Sequence, residues 1–234
     1  MKKMSFIDHL EELRSRLIKS FLFIIFFSFS GYYFSDNIID FLINPLKSND
    51  MNLQVIKITS IFMVKIGLSI ILGIVLSFPF VLCQFLKFIL PAFESKLTNF
   101  KIVIITLSCI ILFIIGSIFG YNILIPISIS FFKGLSVNLD FITLNYTLEN
   151  YLVYLVWILI ASSIIFQIPV ILIFLIKIGL LSRDYLRQKR KYIIVGIFIL
   201  AALLSPPDPV SQILVVIPLY LLFEISIFLS KFIK

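Results

Sequence analysis

The sequence predicts an all-α integral membrane protein of six transmembrane helices with both termini cytoplasmic. Three observations predict it. Of the 234 residues, 61% are apolar and only 14% charged, whereas an ordinary soluble domain is nearer half apolar and a quarter charged. The apolar residues gather into runs, and a hydrocarbon core takes roughly 20 mostly apolar residues of helix to cross. The basic residues between those runs are biased to one side, as the positive-inside rule requires. A mean hydropathy of +1.14 leaves no room for a separate soluble domain, so residues 1–234 read as a single polytopic membrane domain.

Residues 1–16 read as a cytoplasmic amphipathic helix rather than a signal peptide, because acids stand among the bases and no short apolar core with a cleavage site follows. Ser5 and Asp8 have capping-box spacing, and Phe6, Leu10, Leu13 and Leu17 recur at helical intervals. The first span is expected at 17–34, ending in the interfacial pair Tyr32 and Tyr33. A polar external stretch from Ser35 to Ser60 holds Pro45 and the turn-rich Lys47 to Asp50. The second span, 61–88, contains Pro79, and a short loop centred on Pro91 to Asn99 follows. The third span, 100–124, is ended by Pro126, with an external loop running to Glu149. The fourth, 151–176, is interrupted by Gln167 and Pro169, and basic residues fill Lys177 to Lys191.

Span five, 192–204, has 13 residues, or about 20 Å of helix, against a hydrocarbon core of roughly 30 Å. A re-entrant segment is one reading. A thin span is preferred, because an even count puts both basic flanks on one side. Span six, 210–230, follows the break Ser205-Pro206-Pro207-Asp208-Pro209 and carries Pro218 and Glu224. With this topology sixteen of the twenty basic residues lie inside, and only Lys47, Lys57, Lys65 and Lys133 lie outside. The net charge of +8 therefore reports orientation. Nucleic-acid binding is not expected, since the bases are split among short loops instead of forming one face.

Four clusters carry what chemistry there is. In His9-Leu10-Glu11-Glu12-Leu13-Arg14-Ser15-Arg16-Leu17, Glu12 and Arg16 are one helical turn apart. They either pair on a solvated face or leave surplus carboxylates for a cationic ligand, since carboxylates bind guanidinium bidentately. Phe78-Pro79 to Leu90-Pro91 reads as a kinked, aromatic helix end. Gln167 stands before Pro169; it either helps satisfy the carbonyl the proline frees or faces a cavity that a polar substrate or partner helix enters. In Ser205 to Gln212, prolines fix an external turn and Asp208 caps the next helix. Cys83 and Cys109 lie in apolar runs and read as small hydrophobes. With one histidine and two cysteines, neither metal nor cofactor is expected, and no nucleophile–base pair or phosphate loop supports an enzyme.

Taken in order, these segments resemble the TatC family, the signal-peptide receptor subunit of the twin-arginine protein translocase. The residues that carry the resemblance are His9 to Leu17, the Pro79…Gln84…Phe88…Pro91 spacing, and Arg183…Leu186-Arg187…Arg190-Lys191-Tyr192. The most specific set is Ser205-Pro206-Pro207-Asp208…Ser211-Gln212…Ile217-Pro218…Phe223-Glu224. The resemblance implies a concave, glove-shaped six-helix receptor in the bacterial cytoplasmic (inner) membrane, or an organellar one, that binds folded precursor proteins through their paired arginines. It implies TatA-type and TatB-type single-span partners, self-association in the complex, and transport driven by the proton-motive force.

By position, Glu12 is then the carboxylate that contacts the twin arginines, with Leu10, Arg14, Arg16 and Phe88 shaping that surface. Pro45 orders the external cap, while Gln167, Asp208, Gln212 and Glu224 are the polar positions expected to meet partners. Two positions depart from the family pattern. The glutamate expected six residues after Pro91 is Leu97, with Glu94 as the nearest substitute, and a glutamate in span four is replaced by Gln167. Prolines in spans two, four and six are expected to bend a wall that lodges the apolar part of a signal peptide. The rival readings are a small secondary transporter or channel with a polar path near Gln167 and Glu224, and a membrane-embedded assembly factor without a substrate.

Overall fold

Hydrocarbon offers a peptide group nothing to bond, so apolar runs of this length must satisfy their own backbone as helix. The computed structural model describes residues 6–47, 53–89, 99–136, 146–205 and 209–232, and these are almost entirely helical. Among them the elements are α1 Phe6–Tyr33, α2 Ser35–Lys47, α3 Ser60–Ile89, α4 Asn99–Phe119, a π-helical turn Gly120–Leu124, α5 Ile125–Ser136, α6 Leu148–Ile165, α7 Ile168–Lys177, α8 Arg183–Gln188, α9 Arg190–Leu204 and α10 Pro209–Leu229. Two short strands, β1 Leu53–Gln54 and β2 Tyr146–Thr147, pair in parallel.

Among the described residues, four stretches are long and apolar enough to cross a membrane: Ser60–Phe88, Ile104–Gly134, Leu148–Lys177 and Ser211–Leu229. A fifth arises if α1 and α2, bent by 75° at Phe34, are taken as one broken span. α9, with 15 residues, is about 22 Å long and falls below that length. The fold is that of an all-α integral membrane protein.

Two segments differ from the sequence expectation. Residues 35–47 form helix α2 in place of a polar loop, because Leu42 and Leu46 stand one turn apart and are both buried while Asp36 and Asp40 keep the opposite positions. The third span does not stop at Pro126. The helix continues to Ser136 through the π-helical turn, in which Ile125 N–H bonds Gly120 O, one residue beyond the usual partner. That extra residue resets the hydrogen-bond ladder where Pro126 has no N–H to contribute.

The chain divides into two compact units, one of residues 1–38 and 62–110, the other of 39–61 and 111–234. In the first, α1 runs antiparallel to α3, and small residues let the backbones approach. A Cβ on Gly73 would lie 2.8 Å from Ile24 O, and one on Gly31 would lie 3.3 Å from Ser69 O. Further along the seam, Phe23 stacks on Phe80 at 4.9 Å. At the opposite end Lys65 Nζ reaches Asp36 Oδ1 at 2.6 Å.

In the second unit, α6 packs on the end of α4 and the π turn. Ser162 Oγ donates to Gly116 O at 2.7 Å, and Ser117 and Ser163 share a 2.7 Å hydrogen bond. α10 packs on α7, α8 and α9, and α6 touches α9. The buried stripe of α10 is Val215, Leu219, Phe223 and Ile227, repeating every four residues as a helix with one core face requires.

Gly73→Ala is expected to destabilise the protein by about 1–3 kcal/mol, the usual cost of overpacking. Gly67→Ala, whose Cβ meets nothing within 4 Å, is expected to be neutral or stabilising by up to ~1 kcal/mol through helix propensity. Thermal unfolding of both variants in detergent checks the contrast.

Candidate functional site

In the first unit, the amphipathic start of α1 brings one carboxylate to the end of the α1–α3 pair. Arg16, one turn after Glu12, donates from Nε to Glu12 Oε1 at 2.9 Å, and its Nη2 reaches the same oxygen. Its Nη1 donates to Gln84 Oε1 on α3 at 3.0 Å. Ser20 Oγ bonds the Arg16 carbonyl at 2.9 Å. The local pairing that the spacing allows is thus present, and it is anchored by a second helix.

Glu12 and Arg16 keep 19% and 22% of their side-chain surface exposed, so the pair is neither sealed nor fully solvated. Leu10, Glu11 and Arg14 stand exposed around it. The contacts Gly31–Ser69, Phe23–Phe80 and Arg16–Gln84 retreat along α1 as they advance along α3. Phe88 stands one turn beyond Gln84 on α3, and Glu12 one turn before Arg16 on α1. Phe88 is half-buried and Leu10 is exposed. Glu94 lies outside the described residues. Gln84 is the member that the sequence reading did not single out for this role; its place in the Pro79…Gln84…Phe88 spacing was the available signal.

The second unit holds the other polar positions. Arg190 Nη2 donates to Glu224 Oε2 at 2.8 Å, and Tyr220 OH donates to Glu224 Oε1 at 2.9 Å. Near the middle of α9, Gln212 Nε2 donates to Phe198 O at 3.1 Å. The short helix is therefore tied to α10 by polar contacts at its start and near its middle. Asp208 lies outside the described residues. Gln167 sits at the break between α6 and α7 and is 0% exposed; its N–H bonds Ile164 O and its carbonyl accepts from Ile171 N–H.

Pro45 lies inside α2. Having no N–H, it leaves Phe41 O without its usual helical donor. Tyr121 OH donates to that carbonyl at 2.7 Å while its ring stacks on Phe41 at 4.3 Å, and Tyr151 OH donates to Leu42 O at 3.2 Å. Among the described residues, no three His, Cys, Asp or Glu side chains gather to hold a metal ion. Cys83 and Cys109 are both buried, and neither forms a disulfide.

A family model described as Sec-independent protein translocase protein (TatC) matches residues 8–218. The chain is 35% identical over 234 residues to the Sec-independent protein translocase protein TatC of Carboxydothermus hydrogenoformans, covering all of this chain and 95% of that protein. It is 39% identical over 235 residues to an uncharacterised TatC-like protein of Reclinomonas americana, covering 97% of this chain and 88% of that protein. A crystal structure of the twin-arginine translocase receptor TatC in the detergent DDM is similar at a TM-score of 0.79 and 32% identity, over 95% of this chain and 99% of that one.

Tyr121→Phe is expected to cost about 0.5–1.5 kcal/mol, the net worth of a typical hydrogen bond. In a Pro45→Ala background the cost is expected to fall toward zero, because the backbone N–H that alanine restores then serves Phe41 O. A double-mutant cycle on thermal unfolding in detergent reads this coupling.

Proposed function

Because this chain belongs to the TatC family of Sec-independent protein translocase proteins, we propose that it is the receptor core of a twin-arginine translocase, binding the paired arginines of precursor signal peptides at Glu12. As a translocase subunit it transports protein without being an enzyme, and it is embedded in the membrane. The observation that supports the receptor reading is the Glu12–Arg16–Gln84 set. It pre-orients a carboxylate at the end of the α1–α3 pair on a side chain that stays 19% exposed.

An incoming guanidinium replaces Arg16 on Glu12 at little cost. Arg16 keeps its bond to Gln84 as it yields, so no buried charge is stranded. The planar fork of arginine satisfies a carboxylate with two parallel bonds, and lysine does not. Arg14 and Arg16 shape the surface by repelling cations that cannot make the bidentate contact. Leu10 and Phe88 receive the apolar residues that flank the arginines, and Glu94 supplies the second carboxylate in place of the family glutamate at Leu97.

The receptor crosses the bacterial cytoplasmic membrane six times with both termini and most of its basic residues inside. α9, held to α10 by Arg190–Glu224 and Gln212–Phe198, thins the bilayer locally, since mismatch must be met by lipid or tilt. TatA-type and TatB-type single-span subunits, and further copies of the chain, assemble near Asp208, Gln212 and Glu224, and the proton-motive force drives transport. Gln167 acts from within the second unit by keeping the α6–α7 break polar, where the family glutamate would carry a buried charge. A transporter path through Glu224 finds that carboxylate already held by Arg190 and Tyr220.

A photoreactive residue at Leu10 is expected to crosslink a twin-arginine precursor at least about tenfold more than the same precursor with two lysines, a difference of ~1.4 kcal/mol. Glu12→Ala is expected to remove the preference. Equal crosslinking of both precursors to the unaltered receptor would defeat the proposed recognition.

A further inference from the structure

Both cysteines of this chain lie in the first unit, Cys83 on α3 and Cys109 on α4, and both are buried, at 3% and 0% exposure. As small hydrophobes they would need only to fill space. Their surroundings are more specific than that. Cys109 S–H donates to Cys83 Sγ, and the hydroxyl of Thr106 donates to the same sulfur. Thr106 stands three residues before Cys109 and shares its face of α4. Lys87, one turn beyond Cys83 on α3, acts on that sulfur through its charge.

Two donors and a cation thus converge on one of the two sulfurs. A cysteine set beside hydrogen-bond donors and a lysine is the more nucleophilic of a pair, and a second thiol in contact with it is placed to resolve whatever forms there. Burial selects the oxidant. A disulfide such as oxidised glutathione must bring its own sulfur into contact with the attacking one, and it is too large and too highly charged for a core that leaves Cys83 3% exposed. Hydrogen peroxide is neutral and close to water in size.

We propose that Cys83 and Cys109 are an oxidative modification site, a dithiol that hydrogen peroxide converts to a disulfide between α3 and α4. The Cys83 sulfur attacks the O–O bond, which breaks; a sulfenic acid forms at Cys83, and the thiol proton leaves with the displaced hydroxide as water. The Cys109 sulfur then attacks the Cys83 sulfur. The S–O bond breaks, the S–S bond forms, and the Cys109 proton leaves with that hydroxide as a second water. Two thiols lose two electrons, and one peroxide is reduced to two waters. The new bond ties α4 to α3 beside Gln84, the residue that follows Cys83 and holds Arg16. The inference is independent of signal-peptide recognition.

The test uses the full chain, reduced and held in bilayer nanodiscs, treated with hydrogen peroxide, then denatured, alkylated and read by intact mass and peptide mapping. The expected product is a monomer lighter by two hydrogen atoms, with residues 83 and 109 joined. Cys109→Ser, which keeps the nucleophile and lacks the resolving thiol, should accumulate a sulfenic acid at Cys83 that dimedone captures. In Cys83→Ser, Cys109 should oxidise at least about tenfold more slowly than Cys83 does in Cys109→Ser. Oxidised glutathione at the same concentration should leave the pair reduced over the same time. Two thiols still open to alkylation after peroxide, a sulfinic acid without the disulfide, or a disulfide between two copies of the chain overturns the proposal. So do equal rates in the two serine variants, or oxidation by glutathione disulfide as fast as by peroxide. If a serine variant fails to fold, the product formed by the unaltered chain decides.

Discussion

A peptide group in hydrocarbon must find its hydrogen bond within the protein, and every proline in an apolar helix removes one. This sequence places prolines at 45, 79, 126, 169 and 218, and several local features of the fold answer them. At Pro45 the abandoned carbonyl of Phe41 is taken by Tyr121 OH. At Pro126 the ladder shifts by one residue through a π turn. At Pro169 the helix breaks, and the wholly buried Gln167 occupies the junction. Each answer creates a fixed local geometry.

Charge follows the same constraint. An ionised side chain at membrane depth is expensive unless it is paired or reaches water. Lys65 reaches Asp36, Glu224 accepts from Arg190 and Tyr220, and Glu12 accepts from Arg16. The pairs differ in what holds them. Arg190–Glu224 ties two helices together and is reinforced by a tyrosine. Arg16–Glu12 lies on one helix, and its arginine has a second acceptor in Gln84. A guanidinium with two acceptors can surrender one, and this separates an exchangeable pair from a structural one.

The membrane class and the helical runs were legible because hydropathy and basic bias depend on composition alone. The Glu12–Arg16 contact was legible because helical periodicity sets a distance over four residues. What sequence spacing does not set is which residue 68 or 80 positions away completes a local motif. Gln84 joining Arg16 and Tyr121 repairing Pro45 are tertiary facts of that kind. Helix α2 was missed for a different reason. Its two aspartates, two asparagines and proline break the hydropathy run, while the turn-spaced Leu42 and Leu46 carried the helical signal. The helix end near Pro126 was misjudged because a proline normally ends a helix, and a π turn is not visible in composition.

The central claim is that Glu12 itself recognises paired guanidinium groups. The direct measurement is a double-mutant cycle of equilibrium binding, with the full chain in bilayer nanodiscs carrying Glu12 or Glu12→Gln and a signal peptide carrying two arginines or two lysines. The account predicts a coupling of at least about 1.5 kcal/mol between the two changes, the lower end for close charge pairs across an interface. Strict additivity, with Glu12→Gln weakening both peptides equally or neither, would contradict it.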